Sequence, residues 1–341
     1  MARKLTKNQQ RRIQQQQKQH ARRATSAKPQ QLPDDSQLGA EQTGVVITHY
    51  GTQVDVEPQG QKGTTKRCFL RANIGSVVTG DEVIWRDAQD SNGVIVAAEP
   101  RKSALYRPDS RGNLRPVAAN IDRIFIVVAA EPEPFANLID RYLVAAENQG
   151  VEAVLVLNKS DLLNGDKGEA VRKLVSPYQQ LGYRLIILST KSGDSSLQEL
   201  QAMLRDHTSV FVGQSGVGKS SLINALLPQA NSAVGELSEA RAKGTHTTTT
   251  ARLYHLELGA GGDVGRLIDS PGIREFGLWH LEPEQIAQGF VEMRAFLGHC
   301  QFRDCKHQRE PGCALLAAEQ RGDISPDRLE SYRRILVSLQ S

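Results

Sequence analysis

The stretch VFVGQSGVGKSSLINALL, residues 210–227, reads as an apolar strand, a glycine loop ending in Lys-Ser, and a helix. Gly213-Gln214-Ser215-Gly216-Val217-Gly218-Lys219-Ser220 fits G-x-x-x-x-G-K-[ST] at every fixed position, and Ser221 carries the chain into the helix. Each residue type has a chemical reason. Glycines let backbone N–H groups turn inward around phosphates. Lys219 places a point charge on β- and γ-phosphate oxygens, which makes it a catalytic candidate, and Ser220 offers a hydroxyl to Mg²⁺.

A phosphate loop alone does not distinguish guanine from adenine. VLVLNKSD, residues 154–161, supplies the distinction: Asn158-Lys159-Ser160-Asp161 fits N-K-x-D at the end of a buried strand. The Asp161 carboxylate can accept from both the ring N–H and the exocyclic amine of guanine. Adenine has no such donor pair on that edge, so a buried Asp161 would be left unpaired against it, which disfavours an ATPase or nucleotide kinase. Lys159 can lay its stem along the base, and Asn158 can tie this loop to the phosphate loop. Ser189-Thr190-Lys191, after the next strand, fits a second base-contacting element. Asp269-Ser270-Pro271-Gly272 fits D-x-x-G: Asp269 would hold Mg²⁺ through water and the Gly272 N–H would meet the γ-phosphate. Between these lies GTHTTTT, residues 244–250, where Thr248 is the candidate Mg²⁺ ligand and a plain strand start is the competing reading.

Along this chain the base readers precede the phosphate loop, the threonine segment and D-x-x-G. An ordinary GTPase domain runs the other way, so the order implies a circular permutation. Because domain termini lie at the surface and close together, the same sheet can form with its ends moved. Strands alternating with helices from about residue 116 onward, beginning with the apolar run 121–130, predict a parallel, doubly wound sheet for residues 111–277.

The flanking segments have different patterns. Residues 44–51, 52–58, 66–72, 81–87 and 93–100 are five short β-like runs separated by turn residues. They suit a five-stranded oligonucleotide-binding (OB) type barrel over 36–110, with an SH3-like barrel as the alternative. Residues 1–35 form a basic arm: 1–33 hold nine Lys and Arg and no acid, with too little apolar surface to order alone. That charge suits either phosphate docking or simple solubility.

After about residue 278 a helix is predicted over 283–298, then a Cys/His cluster, then a closing helix over 327–339. Cys300, Cys305, His307 and Cys313 offer four N/S ligands within fourteen positions, a closed set suited to one structural Zn²⁺. His299 is a rival ligand, and Cys68 reads as a small buried residue.

A permuted GTPase domain behind a barrel and ahead of a zinc knuckle resembles the ribosome small-subunit-dependent GTPase A family. NKSD, GQSGVGKSSLIN, GTHTTT, DSPGIREFGL and C-x4-C-x-H-x5-C carry the match, over essentially 40–341. The resemblance implies a barrel touching ribosomal RNA, GTP hydrolysis stimulated by the small subunit, and a role in late subunit assembly.

Many GTPases place a water-orienting Gln after D-x-x-G; here that position is Ile273, so hydrolysis by the free protein should be slow, and a nucleotide-gated RNA-binding module without turnover is the competing class. His246 is the local candidate to orient water. The short path from D-x-x-G to the C-terminal domain suggests that nucleotide state sets that domain's angle.

The net charge of +4 and the 23% charged content fit a protein free of membrane, with an anionic partner. No apolar run approaches the ~20 residues of a bilayer span. A cytoplasmic protein, monomeric away from the ribosome, is the expectation.

Overall fold

The computed structural model describes residues 38–71, 73–88, 92–109, 113–191, 196–227, 251–258, 264–269, 278 and 281–340. The basic arm, His246, Thr248, Gly272 and Ile273 lie outside the described residues.

The barrel is built from β1 (Leu38–His49), β2 (Gln53–Pro58), β3 (Lys66–Leu70), β4 (Glu82–Ala88) and β5 (Gly93–Ala98). Its strands pair in the order β1-β2-β3-β5-β4 and β4 returns to β1, which closes the ring. β3 and β5 run parallel and the other pairs antiparallel. β1 serves two neighbours because it is long and its register shifts between Leu38 and Glu41 and between Val46 and Thr48. Such bulges bend a strand around a closing barrel. Val46, Val54, Val56, Cys68, Val83, Trp85 and Ile95 fill the interior. Burial pushes the Cys68 thiol up to about 12, so it stays an inert packing group, as expected.

A hairpin of β6 (Ala104–Pro108) and β7 (Leu114–Ala119) then leads into the nucleotide-binding sheet. That sheet holds β8 (Arg123–Ala129), β9 (Glu152–Asn158), β10 (Arg184–Ile187), β11 (Thr208–Val212), β12 (Arg252–Glu257) and β13 (Val264–Asp269), in the order β10-β9-β8-β11-β13-β12. All pairs are parallel except β12–β13. The central strands are apolar throughout because helices cover both faces. Those helices are α1 (Ala136–Gln149), α2 (Gly165–Gln180), α3 (Ser196–Leu204) and α4 (Lys219–Leu226). α1 ends at Gly150 in the left-handed region (φ 62°), whose N–H caps Ala146 and Glu147 carbonyls.

The chain runs outward from β8 to β9 and β10, then returns to place β11 on the other side of β8. The winding of the chain reverses between β8 and β11, and ligands in open α/β sheets bind beyond the carboxyl ends of the strands at such a switch point. A single pairing, Thr48 with Arg252, joins β12 to the barrel's β1 and makes one eleven-stranded sheet.

The C-terminal segment holds α5 (Pro283–Gln288), α6 (Ala314–Arg321) and α7 (Pro326–Gln340). The single helix predicted over 283–298 is broken. α5 stops before Gly289, and a 3₁₀ turn covers Val291–Phe296. The reason is packing: Phe290 takes an extended backbone (φ −92°, ψ 102°) that buries it in the core shared with α1, and a glycine precedes it because a Cβ at Gly289 would lie 2.7 Å from Val144 Cγ1. A capping box between Glu282 and Gln285, with Pro283 in the first turn, starts α5. These helices share one apolar core with α1: Phe290, Leu315, Leu329 and Ile335 join Ile139 and Leu143.

Among the described residues, no helix is long and apolar enough to cross a membrane.

Candidate nucleotide site and metal cluster

Three loops meet at the carboxyl edge of the sheet, after β8, β9 and β11. Side chains of the predicted base-reading loop stitch them together. Asn158 is 1% exposed, and its Nδ2 donates to the Val217 carbonyl at 2.9 Å, the tie expected from sequence. Lys159 takes a left-handed backbone (φ 58°), and its Nζ donates to the Glu131 and Gly216 carbonyls, both at 2.7 Å. A Cβ at Gly218 would sit 2.3 Å from Asn158 Nδ2, so only glycine lets the two loops approach this closely. Gly213 (φ 135°) is fixed likewise: its Cβ would meet the Val127 carbonyl at 2.2 Å.

Within the phosphate loop, Lys219 is buried, and its Nζ donates to the Gly213 and Gln214 carbonyls at 2.7 and 2.6 Å. The ammonium is therefore held inside the loop, at the start of α4, with Gly218 as the preceding cap residue. Val217 is buried, whereas Ser215, Gly216, Ser220 and Ser221 face solvent. Those exposed positions are the ones able to meet an anion at the helix N-terminus.

The second base-reading element supports the first. Ser189 Oγ donates to Asp161 Oδ1 at 2.7 Å, and the Lys191 N–H donates to Ser189 Oγ at 3.2 Å. Lys191 Nζ lies 3.5 Å from Asp161 Oδ2. The Ser160 N–H donates to the Leu188 carbonyl at 3.0 Å, while Thr190 is half-buried between these contacts. The hydrogen bond from Ser189, helped by Lys191 and opposed by slight desolvation, lowers the Asp161 pKa below the ordinary carboxylate value. The group is ionised at neutral pH and acts purely as an acceptor. One expectation is corrected: the protein does not bury Asp161, whose side chain is 27% exposed. It sits at the start of a surface 3₁₀ turn, Ser160–Leu162, so shielding from water has to come from the base itself.

Asp269 ends β13, next to β11 and in register with Arg252 of β12. This places it on the side of the phosphate loop opposite the base-reading strands, where a γ-phosphate and its cation would lie.

The metal cluster belongs to the C-terminal segment. Ligand atoms of Cys300, Cys305, His307 and Cys313 all lie within 4.8 Å of one another, and His299 is not among them. Cys300 Sγ is 4.0 Å from Cys313 Sγ, and His307 Nδ1 is 3.5 and 3.4 Å from those two sulfurs. A tetrahedral ion with sulfur at about 2.3 Å and nitrogen at about 2.0 Å requires edges of about 3.8 and 3.5 Å, so the four groups fit Zn²⁺. His307 adopts φ 58°, and Arg333 donates twice to its carbonyl, at 3.2 and 3.1 Å. Burial lowers the His307 pKa and favours the neutral imidazole a metal needs.

Sequence reading missed Glu310. Its carboxylate accepts from the N–H groups of Lys306, Gln308 and Arg309 at 3.1, 2.8 and 3.0 Å, and its own backbone N–H, followed by these, holds its pKa down at about 2. It thus organises the turn that carries His307. Only an acidic residue three places after the ligand His hinted at this. Glu310→Gln is expected to speed zinc loss to a chromogenic chelator by about tenfold, the usual scale for residues that orient metal ligands. An unchanged release rate would contradict this role.

Comparison with known proteins agrees with this geometry. The family model described as "RsgA GTPase" matches residues 98–279. Relatives named "Small ribosomal subunit biogenesis GTPase RsgA" from Azotobacter vinelandii and Pseudomonas aeruginosa are each 54% identical, covering 99% of this chain and 98% of their own. A crystal structure of YjeQ from Thermotoga maritima aligns with a TM-score of 0.71 at 32% identity, over 89% of this chain and 99% of that one. YloQ, described as a circularly permuted GTPase, shares the fold with a TM-score of 0.66 at 24% identity, over 91% and 98% of the two chains. Motifs, permuted strand order and full-length similarity converge: the chain belongs to the RsgA GTPase family.

Proposed function

We propose that this protein hydrolyses GTP on the small ribosomal subunit during its late maturation, with the subunit stimulating turnover. The observation that carries the reading is the Asn158–Val217 hydrogen bond, which joins a guanine-type reader to a phosphate loop at one sheet edge. The relatives' name supplies the small subunit as partner.

The roles follow from chemistry. Asp161 reads guanine, with Asn158, Lys159, Ser160, Ser189, Thr190 and Lys191 shaping the base pocket. Residues 213–221 wrap the phosphates, and Lys219 neutralises charge that develops on the β/γ-bridging oxygen. Mg²⁺ held at this site would supply positive charge to offset the phosphates. Ser220 and Thr248 would hold it directly and Asp269 through water, while the Gly272 N–H meets the γ-phosphate and His246 orients the attacking water. Cys300, Cys305, His307 and Cys313 would hold Zn²⁺ in a structural role, since four protein ligands would leave no position open for substrate. The barrel, and the basic arm with it, would contact ribosomal RNA. The protein would work in the cytoplasm, as a monomer away from the ribosome.

GTP turnover measured with purified small subunits, with large subunits and with neither tests the reading. Small subunits alone are expected to raise the rate, by about tenfold or more, as partners do when they complete a GTPase site in trans. Equal, slow turnover in all three samples would favour a nucleotide-gated RNA-binding module instead.

A further inference from the structure

The barrel touches the nucleotide domain at the root of the two segments that would hold Mg²⁺ and the γ-phosphate. Thr79, in the barrel corner before β4, is fully buried, and its Oγ1 donates to the Ala251 carbonyl at 3.0 Å. Ala251 is the first described residue after the threonine segment and leads directly into β12. The next residue, Arg252, pairs with Thr48 of the barrel on one side and with Asp269 on the other. Gly80 packs equally close. At φ 92°, a Cβ there would lie 2.2 Å from the Ala119 carbonyl and 3.0 Å from Cδ1 of Ile268, the residue before Asp269.

This corner is rigid. The Gly80 N–H donates to Val46 O at 2.9 Å, and the Ala119 N–H donates to Thr79 O at 3.0 Å. Buried Asp81 accepts from Arg101 at 2.7 and 2.8 Å and from the Val78 N–H at 2.7 Å. Further along β12, His255 Nε2 lies 2.8 Å from Glu57 of the barrel, a second attachment of the same strand.

We infer that Thr79 is a positioning residue for GTP hydrolysis: the barrel corner fixes where β12 begins and, through the Arg252–Asp269 pairing, where Asp269 points. The RNA-binding module is thereby part of the γ-phosphate side of the active site. The base and the α- and β-phosphates would be gripped by loops after β8, β9 and β11, and among the described residues no hydrogen bond joins those loops to the corner. Loss of the Thr79 hydroxyl therefore separates turnover from nucleotide affinity. The inference rests on the role given above to Asp269.

The experiment uses the full-length protein. Thr79→Val keeps the side-chain shape and leaves the Ala251 carbonyl unpaired. It is expected to lower kcat for GTP about five- to tenfold and to raise the Mg²⁺ concentration needed for half-maximal turnover, while fluorescent-GDP affinity stays within about twofold. Thr79→Ser, which keeps the hydroxyl, should restore both. Thr79→Ala, which relieves crowding, repeats the measurement if the Val variant does not fold. Unchanged kcat in folded Val or Ala protein overturns the inference. So does a parallel fall in kcat and GDP affinity, which marks a general structural role. Asp269→Asn is the control. If its Mg²⁺ requirement does not rise, the assignment of Asp269 fails and the inference falls with it; if it rises while the Thr79 variants behave as wild type, only the inference fails.

Discussion

Asp161→Asn is expected to lower GDP affinity by about 100-fold or more and to turn the site towards xanthine nucleotides. Guanine presents two donors to this carboxylate, the ring N–H and the exocyclic amine. Hydrogen bonds to a charged acceptor contribute about 1.5–3 kcal/mol each, so losing one and placing an amide donor against the amine together approach the stated factor. Xanthine carries a carbonyl where guanine carries the amine, and the Asn amide can donate to it. The loop itself should survive, because the Ser189 hydroxyl that now donates to Asp161 Oδ1 at 2.7 Å can donate to the Asn carbonyl oxygen as well. Competition of GDP and XDP against a fluorescent guanine nucleotide reads the outcome. A guanine preference that survives the substitution would remove Asp161 from the base-reading role and with it the reason to prefer GTP over ATP.

Arg328→Met should destabilise the protein by about 3–5 kcal/mol and lower its melting temperature by about 10 °C. Arg328, at the start of α7, is almost fully buried between the nucleotide domain and the C-terminal helices. It donates to Asp140 of α1, and to Glu292 at 2.6 and 3.1 Å, while its guanidinium lies 4.5 Å over the Phe290 ring. Tyr178 donates to Asp140 at 2.7 Å. Removing the cation leaves the Asp140 and Glu292 carboxylates buried without a counter-charge, even with the Tyr178 hydroxyl on Asp140, and that penalty exceeds what the intact network contributes. The triple change Arg328→Met, Asp140→Asn, Glu292→Gln should therefore recover part of the lost stability. A melting temperature within 2 °C of wild type for the single variant would show that the carboxylates find other partners or water. The same network limits nucleotide-driven movement. A change in the angle of the C-terminal domain has to break the Arg328 bonds and open the core shared by α1, α5 and α7, so a rigid response is expected of that interface.

The strand–loop–helix around Lys219, the N-K-x-D end of β9, the barrel strands and the Cys₃His set were all legible in the chain, because each depends on short-range chemistry or on period-2 and period-3.6 patterning. Permutation was legible too, since motif order is itself a linear property. β12 was foreseen only as the competing strand start at the threonine run, because RLYHLE shows no period-2 alternation: Leu253 and Leu256 face different cores. The break after Gly289 was invisible because helix periodicity continues through it, and only the burial of Phe290 in the core shared with α1 turns the chain there.

The residue types alone determined which nucleotide this protein is built to hold and which four side chains can share one metal ion. Folding decided that Asp161 stays open to solvent, that Glu310 shapes the metal loop, that Arg328 locks two domains, and that Thr79 of the barrel reaches the nucleotide domain. Two of these contacts, Thr79 with Ala251 and Arg328 with Asp140, join residues 172 and 188 positions apart. No local propensity encodes such pairs, because their energy arises only when burial removes water from both partners at once.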